Sequence, residues 1–184
     1  MSYIQEMLAF NEKFVAEKQY EAYKTSKLPD KKIVILSCMD TRLTELLPAA
    51  LNLKNGDAKI IKNAGAVVTA PFGSVMRSLL VAIYELGAEE IFIIAHHDCG
   101  MHQMKAEQFI QKMLERNIRQ EHIDMMGYFG MDAYQWLTGF SDSTNSVLET
   151  TSLIRKHPMM PADVTITGFL MDPETGKLDL VCNA

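Results

Sequence analysis

The sequence predicts a single α/β domain over residues 1–184, built on a central, mostly parallel β-sheet flanked by helices. Two short runs rich in β-branched residues, 33–36 and 91–95, are typical of strands buried on both faces. A third strand-like run, 58–62, and helical patterns lie between them. Strands that alternate with helices at these lengths are typical of a parallel sheet with helical crossovers. The chain is also long enough to bury a sizeable core.

The first half of the chain is expected to supply a helical arm, three strands and two further helices. Residues 1–23 are predicted as the arm, because apolar side chains fall on one stripe with charged side chains opposite. A short helix over 44–53 is expected to be interrupted near Pro48. A stronger helix over 74–86 has Gly87 in its stop position.

The second half of the chain is expected to end in a β-hairpin. A tight turn over 172–177 predicts that the last strand returns antiparallel to its neighbour. Residues 122–143, in which glycines lie among aromatic residues, fit no regular pattern and receive no predicted element. The other predicted elements are a helix from Gly100 to about Arg119, a helix over 145–157, a strand over 164–170 and the hairpin strand over 178–182.

Composition and charge argue against several classes of function. The formal net charge is -5, and no block of Lys or Arg occurs, so a nucleic-acid or anionic-membrane surface has no electrostatic support. No apolar run approaches the roughly 20 residues that span a bilayer, and the N-terminus lacks the pattern of a secretory signal. Three cysteines in a core-rich chain do not indicate a disulfide framework. We therefore expect a reduced, cytoplasmic protein, in which Cys and His more often bind metal.

Soft metal ligands follow two of the predicted strands, at the point where each strand ends. Cys38, Asp40 and Arg42 follow the first strand at alternate positions, so they would project to one side if the backbone stayed extended. His96 and Cys99 follow another buried strand. These groups are expected to meet, because open α/β sheets place their sites at the carboxyl ends of strands. Two thiols and one imidazole leave the fourth position of a tetrahedral Zn²⁺ open for water, which is the arrangement of a catalytic zinc.

Each of these residues also has a plainer interpretation. Cys38 alone would be a small buried hydrophobic residue, and Asp40 with Arg42 would be a structural ion pair at a strand end. His97 competes with His96 as a ligand. Adjacent strand residues face opposite ways, so only one of the two can serve, and the H-x-x-C spacing favours His96. Because both motifs stand at strand ends, a metal site is favoured over the separate interpretations.

Cys38-x-Asp40-x-Arg42 followed by His96-x-x-Cys99-Gly100 resembles the paired motifs of the β-class carbonic anhydrases, and the short bacterial branch in particular. The resemblance extends to Lys62-Asn63-Ala64-Gly65, where the family usually has Arg in the first position, and to the hairpin around residues 168–178. The stretch from about 105 to 143 has no match in the family pattern.

The resemblance implies a site and its chemistry. Cys38, His96 and Cys99 would hold Zn²⁺, and Asp40 and Arg42 would form a dyad beside the metal. Zinc-bound hydroxide would attack CO₂ and give bicarbonate and a proton, in a reversible reaction. Arg42 would keep Asp40 ionised and turned away from the metal. In a closed, low-pH state, Asp40 itself would take the fourth zinc position.

The resemblance also implies a homodimer or a dimer-based oligomer, in which the N-terminal helix embraces the partner. The expected substrate is a small molecule, with no nucleic-acid or membrane partner. Two other functions stay open at this point. One is hydrolysis of carbonyl sulfide or carbon disulfide on the same scaffold. The other is a non-catalytic zinc-binding or thiol-based regulatory protein, which predicts four protein ligands and no exchangeable water.

Overall fold

A five-stranded β-sheet lies at the centre of the computed structural model, which describes residues 2–184. Its strands are β1 (Ile33–Cys38), β2 (Ala58–Asn63), β3 (Glu90–His96), β4 (Thr165–Met171) and β5 (Leu178–Asn183). They lie in the order β2-β1-β3-β4-β5. The first four run parallel, and β5 pairs with β4 in the antiparallel direction. The predicted mostly parallel sheet and its C-terminal hairpin are confirmed.

Helices connect the strands and extend beyond them. The α-helices are α1 (Tyr3–Ala16), α2 (Leu43–Ala50), α3 (Ser74–Tyr84), α4 (Ala106–Glu115), α5 (Gln120–Asp124), α6 (Ala133–Leu137) and α7 (Ser143–Arg155). Short 3₁₀ segments occupy Gln19–Tyr23, Ala64–Ala66 and Met125–Phe129. Within residues 2–184, none of the helices combines the length and apolar character needed to cross a membrane.

Hydrophobic cores cover both faces of the sheet, which explains the apolar runs 33–36 in β1 and 91–95 in β3. On one face α3 and α7 pack on the strands through fully buried residues such as Leu79 and Ile154. On the other face α2 packs through Leu47. Cys38 and Cys99 belong to this second core. Two of the predicted site residues are therefore anchored in the packed interior.

The N-terminal arm is shorter as a helix than predicted and projects from the body. Met1 lies outside the described residues. α1 ends at Ala16 because Lys18 adopts a left-handed conformation, with φ of 55°, and a 3₁₀ turn follows. No residue of α1 from Tyr3 onward is buried. Its apolar side chains are more than half exposed at Tyr3, Ile4, Met7, Leu8 and Phe10.

Two boundaries around the first strand also differ from the prediction. α2 continues through Pro48 instead of breaking there. Proline has no N–H, so Pro48 removes one backbone hydrogen bond from this short helix. Beyond the C-terminal end of α2, the Leu53 N–H donates to the Pro48 carbonyl at 2.8 Å. β1 extends beyond its apolar run to Cys38, because Ser37 still pairs with Lys62 in the sheet. The first ligand of the predicted site is thus fixed by the sheet itself.

The stretch between the second motif and α7 folds as a helical insertion with a small core of its own. α4 begins at Ala106 because the preceding residues form a turn. In that turn the Gln103 N–H donates to the Phe140 carbonyl at 2.8 Å, and the Gly139 N–H donates to the Met104 carbonyl at 2.9 Å. Residues 122–143, which received no predicted element, thus form short helices that pack around this core. The buried residues of the core are Ala106, Ile110, Ile123, Ala133 and Leu137.

The contact between β4 and α7 requires a glycine at position 168. A Cβ atom added to Gly168 would lie 2.4 Å from Val147 Cγ1 and 2.8 Å from Cys182 Sγ. Gly168→Ala should lower the free energy of unfolding by about 1–3 kcal/mol, the usual cost of overpacking a core. The measurement is the urea midpoint at constant protein concentration.

Gly127→Ala is the matched control, because a Cβ added to Gly127 meets nothing within 4 Å. Its urea midpoint should stay within experimental error of the wild type. Equal midpoints for the Gly168 and Gly127 variants would contradict the close packing of α7 on β4.

Candidate metal centre

Two buried thiols from different parts of the chain lie side by side. Cys38 is the last residue of β1, and Cys99 follows the end of β3. Because β1 and β3 are adjacent and parallel, their carboxyl ends meet at one edge of the sheet. The two Sγ atoms are 3.8 Å apart. That separation is far longer than a disulfide bond, and it equals the roughly 3.8 Å expected for two ligands at about 2.3 Å from a tetrahedral zinc.

His96 completes a cluster of three donors. Its ligand atom and the two sulfur atoms all lie within 4.8 Å of one another. The ring is fully buried. Its Nδ1 atom lies 2.7 Å from the His97 carbonyl, which can only accept, so Nδ1–H donates and Nε2 carries the lone pair. Nε2 is buried without a hydrogen-bond partner anywhere in residues 2–184. A metal ion would satisfy this nitrogen, so the donor set fits such an ion.

The contact between the two sulfur atoms separates the pKa values of the thiols. The hydrogen bond with Cys99 lowers the pKa of Cys38, although burial opposes the shift. The His96 ring and the backbone of Gly65 act in the same direction. The pKa of Cys99 is raised by its hydrogen bond with Cys38 and by burial. A bound cation favours the thiolate form of both residues, as metal coordination does generally.

Asp40 and Arg42 form an ion pair through a turn and not through an extended strand. Cys38, Asp40 and Arg42 would project to one side only if the backbone stayed extended, and it does not. β1 stops at Cys38, and Arg42, the N-cap residue of α2, already has helical backbone angles. The turn lets Arg42 fold back on Asp40. Arg42 Nε and Nη2 donate to Asp40 Oδ1 and Oδ2 at 3.0 and 2.8 Å, and the Arg42 backbone N–H donates to Oδ1 at 2.9 Å.

This pairing determines the charge and the direction of the Asp40 carboxylate. The hydrogen bonds from Arg42 lower the pKa of Asp40 to about 2. The carboxylate is therefore ionised throughout the neutral range. Its Oδ2 atom lies 3.9 Å from Nε2 of His96. Asp40 thus stands beside the three donors while its oxygen atoms are bonded to Arg42.

His97, His102 and Cys182 lie outside the cluster. His97 is exposed, which agrees with the choice of His96 over His97 as the candidate ligand. His102 is exposed, and its Nε2 atom lies 2.8 Å from the Ser141 carbonyl. Cys182 is on β5, and its Sγ atom lies 3.6 Å from Thr151 Oγ1 on α7. None of these side chains adds a fourth protein donor to the site.

Known proteins are similar to this chain in sequence and in architecture. The carbonic anhydrase family matches residues 33–178. The chain belongs to the β-class carbonic anhydrase family. It is 51% identical to a protein of Bacillus subtilis (strain 168) named "Putative carbonic anhydrase YtiB", over 100% of this chain and 98% of the relative. Its structure resembles that of a β-carbonic anhydrase from Trichomonas vaginalis, with a TM-score of 0.89, 33% identity and coverage of 100% and 99% of the two chains.

Some relatives of this chain are named for a different activity. A carbon disulfide hydrolase of Acidithiobacillus thiooxidans is 26% identical over 90% of this chain and 85% of its own length. Membership of the β-class carbonic anhydrase family therefore establishes the fold of this chain but not its substrate.

Asp98 is a site residue that the sequence analysis missed. Arg42 Nη1 donates to Asp98 Oδ2 at 2.9 Å, and Nη2 donates to the Asp98 carbonyl at 2.9 Å. Asp98 has a left-handed backbone, with φ of 51°. Its position between His96 and Cys99 was visible in the sequence, but nothing there indicated that it would face Arg42.

The end of β2 and the loop that follows it lie close to the candidate metal centre. Lys62 Nζ donates to the Cys38 carbonyl at 3.2 Å, and burial lowers the pKa of Lys62. Gly65 has a φ of 85°, and a Cβ there would lie 2.9 Å from the Phe140 ring, so this position requires glycine. A cleft of about 780 Å³ opens between this loop and the insertion, and Ala64 and Met101 are among its lining residues.

The geometry predicts which substitutions remove the metal. Cys38→Ser, His96→Ala and Cys99→Ser should each lower the metal content strongly, because each deletes one of three buried donors. Elemental analysis after gel filtration gives the metal content per chain.

His97→Ala is the matched control, because it changes the neighbouring imidazole and leaves the carbonyl that accepts from His96 in place. This variant should keep a zinc content close to that of the wild type. Loss of zinc in the His97 variant with retention in the His96 variant would overturn the assignment.

Proposed function

We propose that this member of the family catalyses the reversible hydration of CO₂ to bicarbonate and a proton, at a zinc ion held by Cys38, His96 and Cys99. The observation that supports this most directly is the buried three-donor cluster beside an ionised carboxylate. Three protein ligands leave one position of a tetrahedral ion for the reaction. We place the enzyme in the cytoplasm, because its site needs two reduced thiols.

Zinc is the ion that suits this donor set. Two thiolates and one imidazole are soft and borderline ligands, which favour Zn²⁺ over Mg²⁺ or Ca²⁺. When bound, zinc supplies a hydroxide nucleophile near neutral pH, because it lowers the pKa of water to about 7. The two negative sulfur atoms also balance the charge of the ion inside an apolar core.

Asp40 has the properties of an orienting hydrogen-bond acceptor. A pKa of about 2 makes it too weak a base to keep a proton at neutral pH. Its oxygen atoms can still accept a hydrogen bond from the nucleophile and direct its lone pair towards CO₂. Arg42 fixes the carboxylate through two side-chain hydrogen bonds, so the orientation is set before the substrate arrives.

The same carboxylate provides a means of closing the site in acid. Asp40 Oδ2 lies 3.9 Å from His96 Nε2, so a change of rotamer could bring it to the metal in exchange for its bonds to Arg42. Arg42 lowers the pKa of Asp40, so Asp40 is ionised in mild acid and the exchange depends on the supply of hydroxide and not on the protonation of Asp40. Rising pH favours the arrangement in which Asp40 pairs with Arg42.

Hydrolysis of carbon disulfide or carbonyl sulfide is the second candidate function. It is supported by the related carbon disulfide hydrolase of Acidithiobacillus thiooxidans. The same nucleophile and the same Asp40–Arg42 pair would serve both reactions, so residues other than this pair would decide between the substrates. A non-catalytic zinc protein has less support, because the described residues bring together three Cys and His donors and not four.

We further propose that the protein is a homodimer or a dimer-based oligomer. The exposed apolar face of α1, on Tyr3, Ile4, Met7 and Phe10, would be costly to leave in water. The arm is tied to the body near β2, where Asn55 Nδ2 donates to the Tyr23 carbonyl at 2.6 Å. From that anchor α1 extends outwards, in a position to pack on a second copy.

The catalytic proposal predicts a defined activity profile. CO₂ hydration by the zinc-loaded protein, followed by stopped flow, should be low near about pH 6 and rise towards about pH 9. Arg42→Ala should lower the rate by about 100-fold or more while zinc is retained, because Asp40 loses the partner that holds it away from the metal.

Arg116→Ala, which changes an exposed arginine on the insertion, should leave the rate unchanged. Inactivity of the wild type towards CO₂, together with turnover of carbon disulfide, would favour the second candidate function. A crystal structure of the Arg42 variant with Asp40 still turned away from zinc would refute the closing step.

The assembly proposal predicts that removal of residues 1–23 gives a monomer or an insoluble protein. The deletion removes the helix whose apolar face would bury against the partner. Analytical ultracentrifugation of the full chain should show a dimer or a multiple of it. A full-length protein that sediments as a stable, active monomer would exclude this assembly.

A further inference from the structure

The guanidinium of Arg42 is held along two edges by two different aspartates. Nε and Nη2 donate to the carboxylate of Asp40 at 3.0 and 2.8 Å. Nη1 donates to the carboxylate of Asp98 at 2.9 Å, and Nη2 donates to the Asp98 backbone carbonyl at 2.9 Å. A planar fork of this kind is directional, so two acceptor pairs fix both its position and its plane.

The two aspartates reach Arg42 from separate loops. Asp40 follows β1, with Cys38 two residues before it. Asp98 follows β3, between His96 and Cys99. Arg42 therefore connects the two loops that follow β1 and β3, next to the candidate metal ligands, across 56 residues of sequence.

The backbone at Asp98 is shaped for this contact. Its φ of 51° lies in the left-handed region, which glycine, asparagine and aspartate adopt at lower cost than other residues. In this conformation the carbonyl and the carboxylate of one residue both accept from Arg42. A substitution by glycine or asparagine would keep the backbone conformation, so the side chain can be tested by itself.

We propose that Asp98 is a positioning residue: it fixes the Arg42 guanidinium from the opposite loop, so that Arg42 holds Asp40 in one orientation beside the metal ligands. Asp40 and Arg42 are two residues apart, and the Arg42 side chain is 38% exposed. An arginine as exposed as this has many rotamers in which it can pair with a nearby carboxylate. Asp98 selects one of them.

The Asp98 contact acts on geometry more than on the stability of the fold. Its side chain is 86% exposed, and ion pairs that are open to water contribute little to folding. A misplaced orienting group, in contrast, lowers the rate of the chemical step. The consequence for turnover rests on the proposed function, whereas the effect on Arg42 does not.

The kinetic test uses Asp98→Gly and Asp98→Asn in the zinc-loaded full chain, with His97→Ala as the control in the same loop. Asp98→Gly should lower kcat for CO₂ hydration by about 3- to 10-fold with KM and zinc content unchanged, because the loss falls on the transition state. Asp98→Asn should recover most of the activity, since its amide oxygen can still accept from Nη1. His97→Ala should match the wild type.

A spectroscopic test follows Arg42 without any assay of activity. In protein labelled with ¹⁵N-arginine, the Nε–H signal of Arg42 is one of five and is identified by its disappearance in Arg42→Lys. In the wild type, exchange of this proton with water should be slow, because Nε–H is bonded to Asp40. Asp98→Gly should speed that exchange by about tenfold, and Asp98→Asn by much less.

The two readouts separate the inference from the proposed function. Faster exchange in the glycine variant of a protein inactive towards CO₂ would support the role of Asp98 and reject the proposed reaction. Unchanged exchange in that variant would overturn the inference, whatever the rate. So would an active wild type whose kcat is unaffected by Asp98→Gly.

Discussion

The parallel pairing of β1 with β3 is the constraint on which the rest of the site depends. Each strand ends with a metal-ligand candidate, and adjacent parallel strands end at the same edge of the sheet. Cys38 and Cys99 are 61 residues apart in the chain, and their sulfur atoms are 3.8 Å apart in space. The cores on both faces of the sheet fix this register, so the thiols are in place without any movement of the backbone.

Charge balance explains why Arg42 is placed between the two loops. The site gathers two thiols that a metal would deprotonate and two carboxylates, Asp40 and Asp98. A divalent cation would balance the thiolates. Arg42 balances the carboxylates in part and pairs with both of them. Each group of negative charges would thus have its own cation. The thiolates would pair with the metal, and the carboxylates pair with Arg42.

Glycines let the insertion approach the site. A Cβ on Gly139 would lie 1.9 Å from the Met101 carbonyl, which rules out a larger residue without movement of the backbone. Gly65 faces the ring of Phe140 in the same region. The insertion thereby packs on the loop after Cys99 and forms one wall of the cleft. The family match over residues 33–178 includes this insertion, so the expectation that residues 105–143 have no counterpart in the family is wrong.

The sequence by itself determined the sheet and the three metal-ligand candidates. Runs of apolar, β-branched residues indicate strands that are buried on both faces, because a polar side chain on either face would lie in a hydrophobic core. The H-x-x-C spacing also separated His96 from His97. These properties depend on local pattern, and local pattern is written directly in the chain.

Only the tertiary structure decided how the side chains around the ligands are oriented. The Asp40–Arg42 pair was implied by the resemblance to the β-class carbonic anhydrases, but only the structure shows that a turn into α2 forms it. Asp98 was missed, because its contact joins two loops 56 residues apart. Residues 122–143 could not be assigned, because their short helices are stabilised by packing on α4 and carry little periodicity of their own. Contacts between distant segments depend on the relative placement of whole elements, and no local pattern encodes that placement.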